Sequence, residues 1–95
     1  MSASTGAHTL SGKRIAITGA GRGIGRATAT ELHRRGAIVA IGDIDTDAAK
    51  DAATSIGSGI SAHHIDVTDS LSFSSFLAEA KQEMGGIDVL INNAG

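Results

Sequence analysis

Four glycines at alternate positions, Gly19, Gly21, Gly23 and Gly25, lie between the apolar run Ile15-Ala16-Ile17 and a stretch with helical apolar spacing. A turn of this kind lets backbone N–H groups approach a phosphate, and the amino end of the following helix favours negative charge. An ordinary strand-to-helix loop that tolerates glycine would account for one or two of them, less readily for four. Spacing is as informative as composition here. Neither G-x-G-x-x-G nor G-x-x-x-x-G-K-[ST] fits, because Ile24 or Arg26 falls where each template wants its last glycine. What stands is T-G-x-x-x-G-x-G, from Thr18 to Gly25.

Around this turn runs an alternation of strands and helices. Arg14 to Thr18 reads as a strand buried on both faces. The next helix places Ile24, Ala27, Thr28 and Leu32 on one stripe, with Arg34 and Arg35 in its last turn and Gly36 after it. Ala37 to Ile41 is a second buried strand, followed by a helix from about Thr46 to Ile56. Ile60 to Ile65 forms a third strand. Thr68 or Asp69 caps a third helix whose Phe73, Phe76, Leu77, Ala80 and Met84 recur at helical spacing. Ile87 to Ile91 is a fourth strand, before Asn92-Asn93-Ala94-Gly95. Such alternation implies parallel strands with right-handed crossovers, hence an α/β, three-layer Rossmann-type sheet of about four strands in the order 3-2-1-4 with three helices. Residues 1–10 read as a flexible tail and 11–95 as one domain, or part of one.

Composition narrows the function classes. The chain has 41% hydrophobic and 19% charged residues, which reads as soluble and globular. A net charge of −2 gives no electrostatic reason to expect nucleic acid or an anionic membrane as partner. No cysteine is present, which excludes disulfides, thiolate metal sites and a cysteine nucleophile. The first ten residues lack an apolar segment of the signal-peptide type, so a cytoplasmic setting is expected. His63 and His64 are adjacent and would point to opposite faces of a strand, which is poor geometry for one metal. Both are expected to be exposed or at an edge, and no metal ligands are assigned.

Candidate binding residues cluster after each strand. Asp43 lies 18 residues past Gly25, where an acid can accept hydrogen bonds from an adenosine ribose and repel a 2′-phosphate. Asp45 is the better helix cap of the two neighbouring acids. Arg22, inside the glycine turn, could instead pair with a 2′-phosphate. The acid at the strand end should outweigh it, favouring NAD over NADP. Asp66 could accept from an adenine amino group while Val67 offers the ring an apolar contact. After the fourth strand, Asn93, Ala94 and Gly95 combine backbone-satisfying amides with small residues that let a ligand approach. For both of these loops, a simple strand-ending or helix-capping turn is the ordinary alternative.

Together these residues resemble the short-chain dehydrogenase/reductase family, in the branch whose turn reads T-G-x-x-x-G-x-G. The resemblance runs from about Leu10 to Gly95. It implies that Gly19, Gly21, Arg22, Gly23, Ile24 and Gly25 surround the pyrophosphate side of a dinucleotide, that Asp43 binds the ribose, and that Asp66 and Val67 flank the adenine. Asn93, Ala94 and Gly95 would line the cofactor. It also implies an oxidoreductase moving hydride between a nicotinamide cofactor and an alcohol or carbonyl compound, as a homo-oligomer. The family's catalytic Asn, Ser and Tyr-x-x-x-Lys all lie beyond the N-N-A-G motif. No Tyr occurs in these 95 residues, and neither Lys50 nor Lys81 has a matching context. The expectation is an amino-terminal cofactor-binding half with no catalytic residue of its own. Two rivals are a non-catalytic nucleotide-binding or regulatory module and, against the N-N-A-G motif, part of an adenosylmethionine-dependent methyltransferase.

Overall fold

The computed structural model describes residues 9–94. Most of the expected tail and Gly95 therefore lie outside the described residues. Leu10, expected at the tail's end, instead packs against the core and donates its N–H to the Arg35 carbonyl at 3.1 Å.

Seven elements alternate strictly: β1 (Arg14–Thr18), α1 (Gly23–Arg34), β2 (Ile38–Asp43), α2 (Thr46–Ile56), β3 (Ser61–His64), α3 (Ser70–Met84) and β4 (Val89–Asn92). The strands are all parallel and lie in the order β3-β2-β1-β4. In register, Thr18 of β1 stands between Gly42 of β2 and Asn92 of β4. The carboxyl ends of these strands thus finish side by side. Sequence order runs outward from β1 in both directions, making the gap between β1 and β4 a topological switch point, where α/β sheets bind ligands.

Strand periodicity divides the core into two layers. Ile15, Ile17, Val39 and Ile41 pack with Ala29 of α1 and with Ala49, Ala52 and Ala53 of α2. On the other face, Ala16 and Ala40 pack with Ile65 and with Phe76 and Ala80 of α3. The small sheet residues on that face make room for Phe76. A Cβ added at Gly42 would stand 2.7 Å from the Phe76 ring.

Helix ends follow local chemistry. Asp45 caps α2 by accepting the Ala48 N–H, and Asp69 caps α3 by accepting the Leu71 N–H. Gly36, with φ +94°, turns the chain out of α1. Arg22 is the N-cap of α1, yet no side chain caps that end and its first turn holds no acid.

The expected buried stripe of α1 needs correction. Ile24, expected on the buried stripe of α1, is 78% exposed, because α1 meets the sheet through Gly25 and Ala29. These small residues bring the helix backbone close and leave Ile24, Ala27 and Leu32 along a shallow outer groove. His63 lies on the edge strand β3, within what was expected of it, and there its side chain is buried. Its ring meets the edge of Phe76 at 5.8 Å between centroids, with Glu79 at 2.9 Å from Nδ1 and Ser61 at 2.9 Å from Nε2. An ionised Glu79 can only accept, so Nδ1 donates to it, and the Ser61 hydroxyl pairs with Nε2. This network ties α3 to β3. His64 points away and is exposed.

Candidate functional site

Four loops converge where the strands end. The glycine turn leaves β1, Asp43 and Ile44 leave β2, Asp66 and Val67 follow β3, and Asn93 and Ala94 follow β4. A cleft of about 190 Å³ opens among them. Of the residues singled out in the sequence, Gly19, Asp43, Asp66, Val67 and Ala94 line it. Ile44, Ile65 and Thr68, the last of them named above only as a candidate helix cap, complete the wall. The apolar character of Ile44 directly after Asp43, in a loop, was the available signal. Gly21, Arg22, Gly23, Ile24 and Gly25 lie outside that cleft, in the turn and first helical turn beside it, and Asn93 lies outside it in the loop after β4.

The turn is built by close approach. A Cβ at Gly25 would overlap the Gly19 carbonyl oxygen and stand 2.8 Å from Asn93 Nδ2. Gly19, with φ +68°, also has Ala94 against it, 2.9 Å from where a Cβ would lie. Helix α1 therefore begins with its amino end pressed against β1 and the loop after β4. With no side chain capping that end, its first N–H groups are available to an anion.

Thr18 holds the two sides of the switch point together. Its buried hydroxyl donates to Asn92 Oδ1 at 2.7 Å and accepts the Ala94 N–H at 3.1 Å. Asn93 Nδ2 donates to the Gly19 carbonyl at 3.2 Å. Thr18 and Asn92 belong to the motifs but had not been counted as site residues. Their part is to position the loops.

Asp43 sits at the junction of turn and cleft. Its Oδ2 accepts the Gly21 N–H at 2.9 Å and its Oδ1 accepts the Asp45 N–H at 3.0 Å. Asp45 in turn holds Arg22, with Nη2 to Oδ2 at 2.7 Å. The Ala48 N–H, and after it the Arg22 guanidinium, keep the Asp45 carboxyl below the usual carboxylate range. Across the cleft, Asp66 Oδ1 accepts the Thr68 hydroxyl at 2.6 Å and its N–H at 3.0 Å, which lowers the Asp66 carboxyl as well. The Asp66 N–H donates to Ser72 Oγ of α3 at 2.9 Å, fixing this loop to the helix.

The arrangement offers an anion-accepting helix end beside a cleft with ionised acceptors and apolar walls. That is suited to a phosphate joined to a polar, ring-bearing group. It holds no cluster of three or more metal-ligating side chains among the described residues.

The sequence profile described as short chain dehydrogenase matches residues 13–95. A sorbitol dehydrogenase of Cereibacter sphaeroides is 48% identical over 85 residues, covering 90% of this chain and 33% of the relative. Among solved structures, a hydroxysteroid dehydrogenase from Escherichia coli superposes with TM-score 0.86 at 38% identity, covering 97% of this chain and 38% of that one. A 3-ketoacyl-(acyl-carrier-protein) reductase from Brucella melitensis, complexed with NADH, gives TM-score 0.82 at 33% identity, over 85% and 33% of the two chains. The chain spans about a third of the length of that sorbitol dehydrogenase and of both of these solved structures.

Proposed function

Because the chain belongs to the short-chain dehydrogenase family, we propose that it forms the dinucleotide-holding part of an oxidoreductase that moves hydride between a nicotinamide cofactor and an alcohol or carbonyl compound. One observation carries this reading. Residues from the loops after all four strands line a single cleft beside the uncapped amino end of α1.

The residues present fit such a cofactor. The cradle around Gly19 and Gly25 has no room for a Cβ, which keeps the backbone bare where a pyrophosphate needs it. Gly21, Arg22, Gly23 and Ile24 carry the backbone past the phosphates, and Asp43 faces the ribose. Asp66 accepts from the adenine while Val67 covers its ring, and Asn93 and Ala94 flank the path toward the nicotinamide. The cofactor supplies the hydride-exchanging carbon. These residues hold and orient it.

NAD is the expected cofactor rather than NADP. Support comes from the acid at the end of β2 and from Arg22, the nearby cation, being already paired with Asp45. In the family pattern that these motifs resemble, a Tyr transfers the proton. No Tyr occurs in the 95 residues, so by themselves they bind cofactor without turning over substrate.

Calorimetric titration with NAD⁺, NADP⁺ and adenosylmethionine tests the reading. Saturable binding of NAD⁺, about tenfold tighter than NADP⁺, is the expected result. Binding of adenosylmethionine in preference to both dinucleotides would overturn it.

A further inference from the structure

Ser61 opens β3, at the opposite end of the strand from the cleft, and three side chains meet there in series. Ser61 and His63 stand two residues apart on one face of this edge strand, and Glu79 approaches from α3. Ser61 Oγ lies 2.9 Å from His63 Nε2, and His63 Nδ1 lies 2.9 Å from Glu79 Oε1. With Glu79 accepting from Nδ1, the neutral ring leaves Nε2 to accept from the Ser61 hydroxyl. Phe76 meets the ring edge-on, and the His63 side chain is only 8% exposed, so its orientation is held. Ser61 itself is half-buried and lines a cavity of about 180 Å³ with Ile38, Ile60 and Met84. Glu83 is the charged residue on that wall.

From this geometry we propose that Ser61, His63 and Glu79 form a second site, in which the Ser61 hydroxyl takes an acyl group from a short, uncharged ester. A nucleophile within hydrogen-bond reach of a base, itself oriented by a third group, is the arrangement such chemistry needs. As Ser61 Oγ bonds to the carbonyl carbon, its proton passes to His63 Nε2. The bond to the leaving alcohol's oxygen then breaks, and Nε2 hands that oxygen the proton. Water repeats the sequence on the acyl-serine, releasing a carboxylic acid and restoring the Ser61 hydroxyl. Glu79 touches no reacting atom. It is a positioning residue, which orients the ring and offsets the charge the ring gains. The apolar wall suits a short aliphatic acyl chain, and Glu83 disfavours an anionic one.

A purely structural network, tying α3 to β3, would leave Ser61 unreactive. A fluorophosphonate with a short alkyl chain separates the two. Its phosphorus bonds to Oγ as fluoride leaves and the hydroxyl proton passes to His63, and the adduct persists. Peptide mass mapping should place it on half-buried Ser61 at least about tenfold faster than on exposed Ser58, the reverse of what accessibility alone gives. His63→Gln should bring Ser61 down to the Ser58 rate. Glu79→Gln alters a side chain that is 58% exposed, so far-UV circular dichroism should be unchanged. Its limiting labelling rate should fall about tenfold, with the half-saturating probe concentration unaltered. Hydrolysis of p-nitrophenyl butyrate should fall in parallel. Absence of an adduct at Ser61, labelling no faster than at Ser58, or a rate indifferent to Glu79→Gln overturns the proposal. Each of these leaves the cofactor reading standing, because the cleft lies at the other end of the strands.

Discussion

Asp43 Oδ2 accepts the Gly21 N–H at 2.9 Å, linking the end of β2 to the middle of the glycine turn. The acid assigned to the ribose is therefore also a strut of the turn assigned to the phosphates. Gly21 is small for a related reason, since a Cβ there would lie 2.9 Å from that same oxygen and 2.9 Å from Ala48 Cβ. On the proposed reading, recognition and local architecture are joined in one carboxylate.

Gly23 and Gly25, two residues apart in the chain, should respond differently to alanine. At Gly25 a Cβ would strike the Gly19 carbonyl, and neither backbone can yield without moving α1 from β1. At Gly23 there is open space, and only its φ of +64° resists a side chain. Urea unfolding should show a loss of about 3 kcal/mol for Gly25→Ala and about 1–2 kcal/mol for Gly23→Ala. Equal losses would mean that the close approach is relieved easily.

Thr18→Val keeps shape and removes the hydroxyl that bridges β1 to the loop after β4. Asn92 Oδ1 and the Ala94 N–H, both on exposed residues, then lose their buried partner. The expected cost is about 1 kcal/mol, with Thr18→Ser retaining most of the stability. Thermal or urea unfolding of the pair of variants decides the point.

Arg14 and Asp88 make the stability of the chain depend on acid. Arg14 Nε and Nη2 donate to Asp88 at 3.1 Å each, its backbone N–H donates at 2.9 Å, and Nη1 reaches the Gly85 carbonyl at 2.8 Å. The Arg14 guanidinium and N–H hold the Asp88 carboxyl at about 2. The folded state thus binds this proton less readily than the unfolded chain does. The contribution is fully present above the ordinary carboxylate range near about 4 and is lost as pH falls toward about 2. Glu31, held at about 2 by Arg34 and Arg35, adds in the same window. Asp88→Asn should flatten the fall in urea midpoint across that window relative to the unsubstituted chain.

Strand β4 pairs only with β1 among the described residues, and Val89 and Leu90 are 43% and 39% exposed. Such an apolar edge invites pairing between chains. Leu90→Lys should reduce light scattering at high protein concentration while changing stability by less than about 0.5 kcal/mol.

Much of the fold was legible because strands and helices alternate with strong local signals. Asp45 and Asp69 were recognisable as caps, and α2 runs from Thr46 to Ile56 as its spacing suggested. Strand ends shifted, β2 reaching Asp43 and β4 reaching Asn92, because ladder pairing rather than apolar run length sets where a strand stops. The face of α1 was misread for a physical reason. Apolar periodicity weights large side chains, whereas this helix packs through Gly25 and Ala29, and its Ile24 faces out. His63 sits on an edge strand as expected, but its burial was not legible, because it depends on Glu79 and Ser61 engaging both ring nitrogens, and Glu79 is 16 residues away. At the site, the loops that meet were legible from strand ends. The Thr18 hydroxyl bridge and the Asp45–Arg22 pair join residues distant in sequence and required three dimensions.

The central claim, that the cleft between the strand ends holds a dinucleotide, is tested most directly by following backbone amide shifts while NADH is titrated. Saturable shifts at Gly19 to Gly25, Asp43 and Asp66 to Thr68 are expected, with affinity falling at least about tenfold in Asp43→Ala. Shifts confined to other surfaces, or an Asp43→Ala variant that is folded and binds NADH as well as the unsubstituted chain, would contradict it.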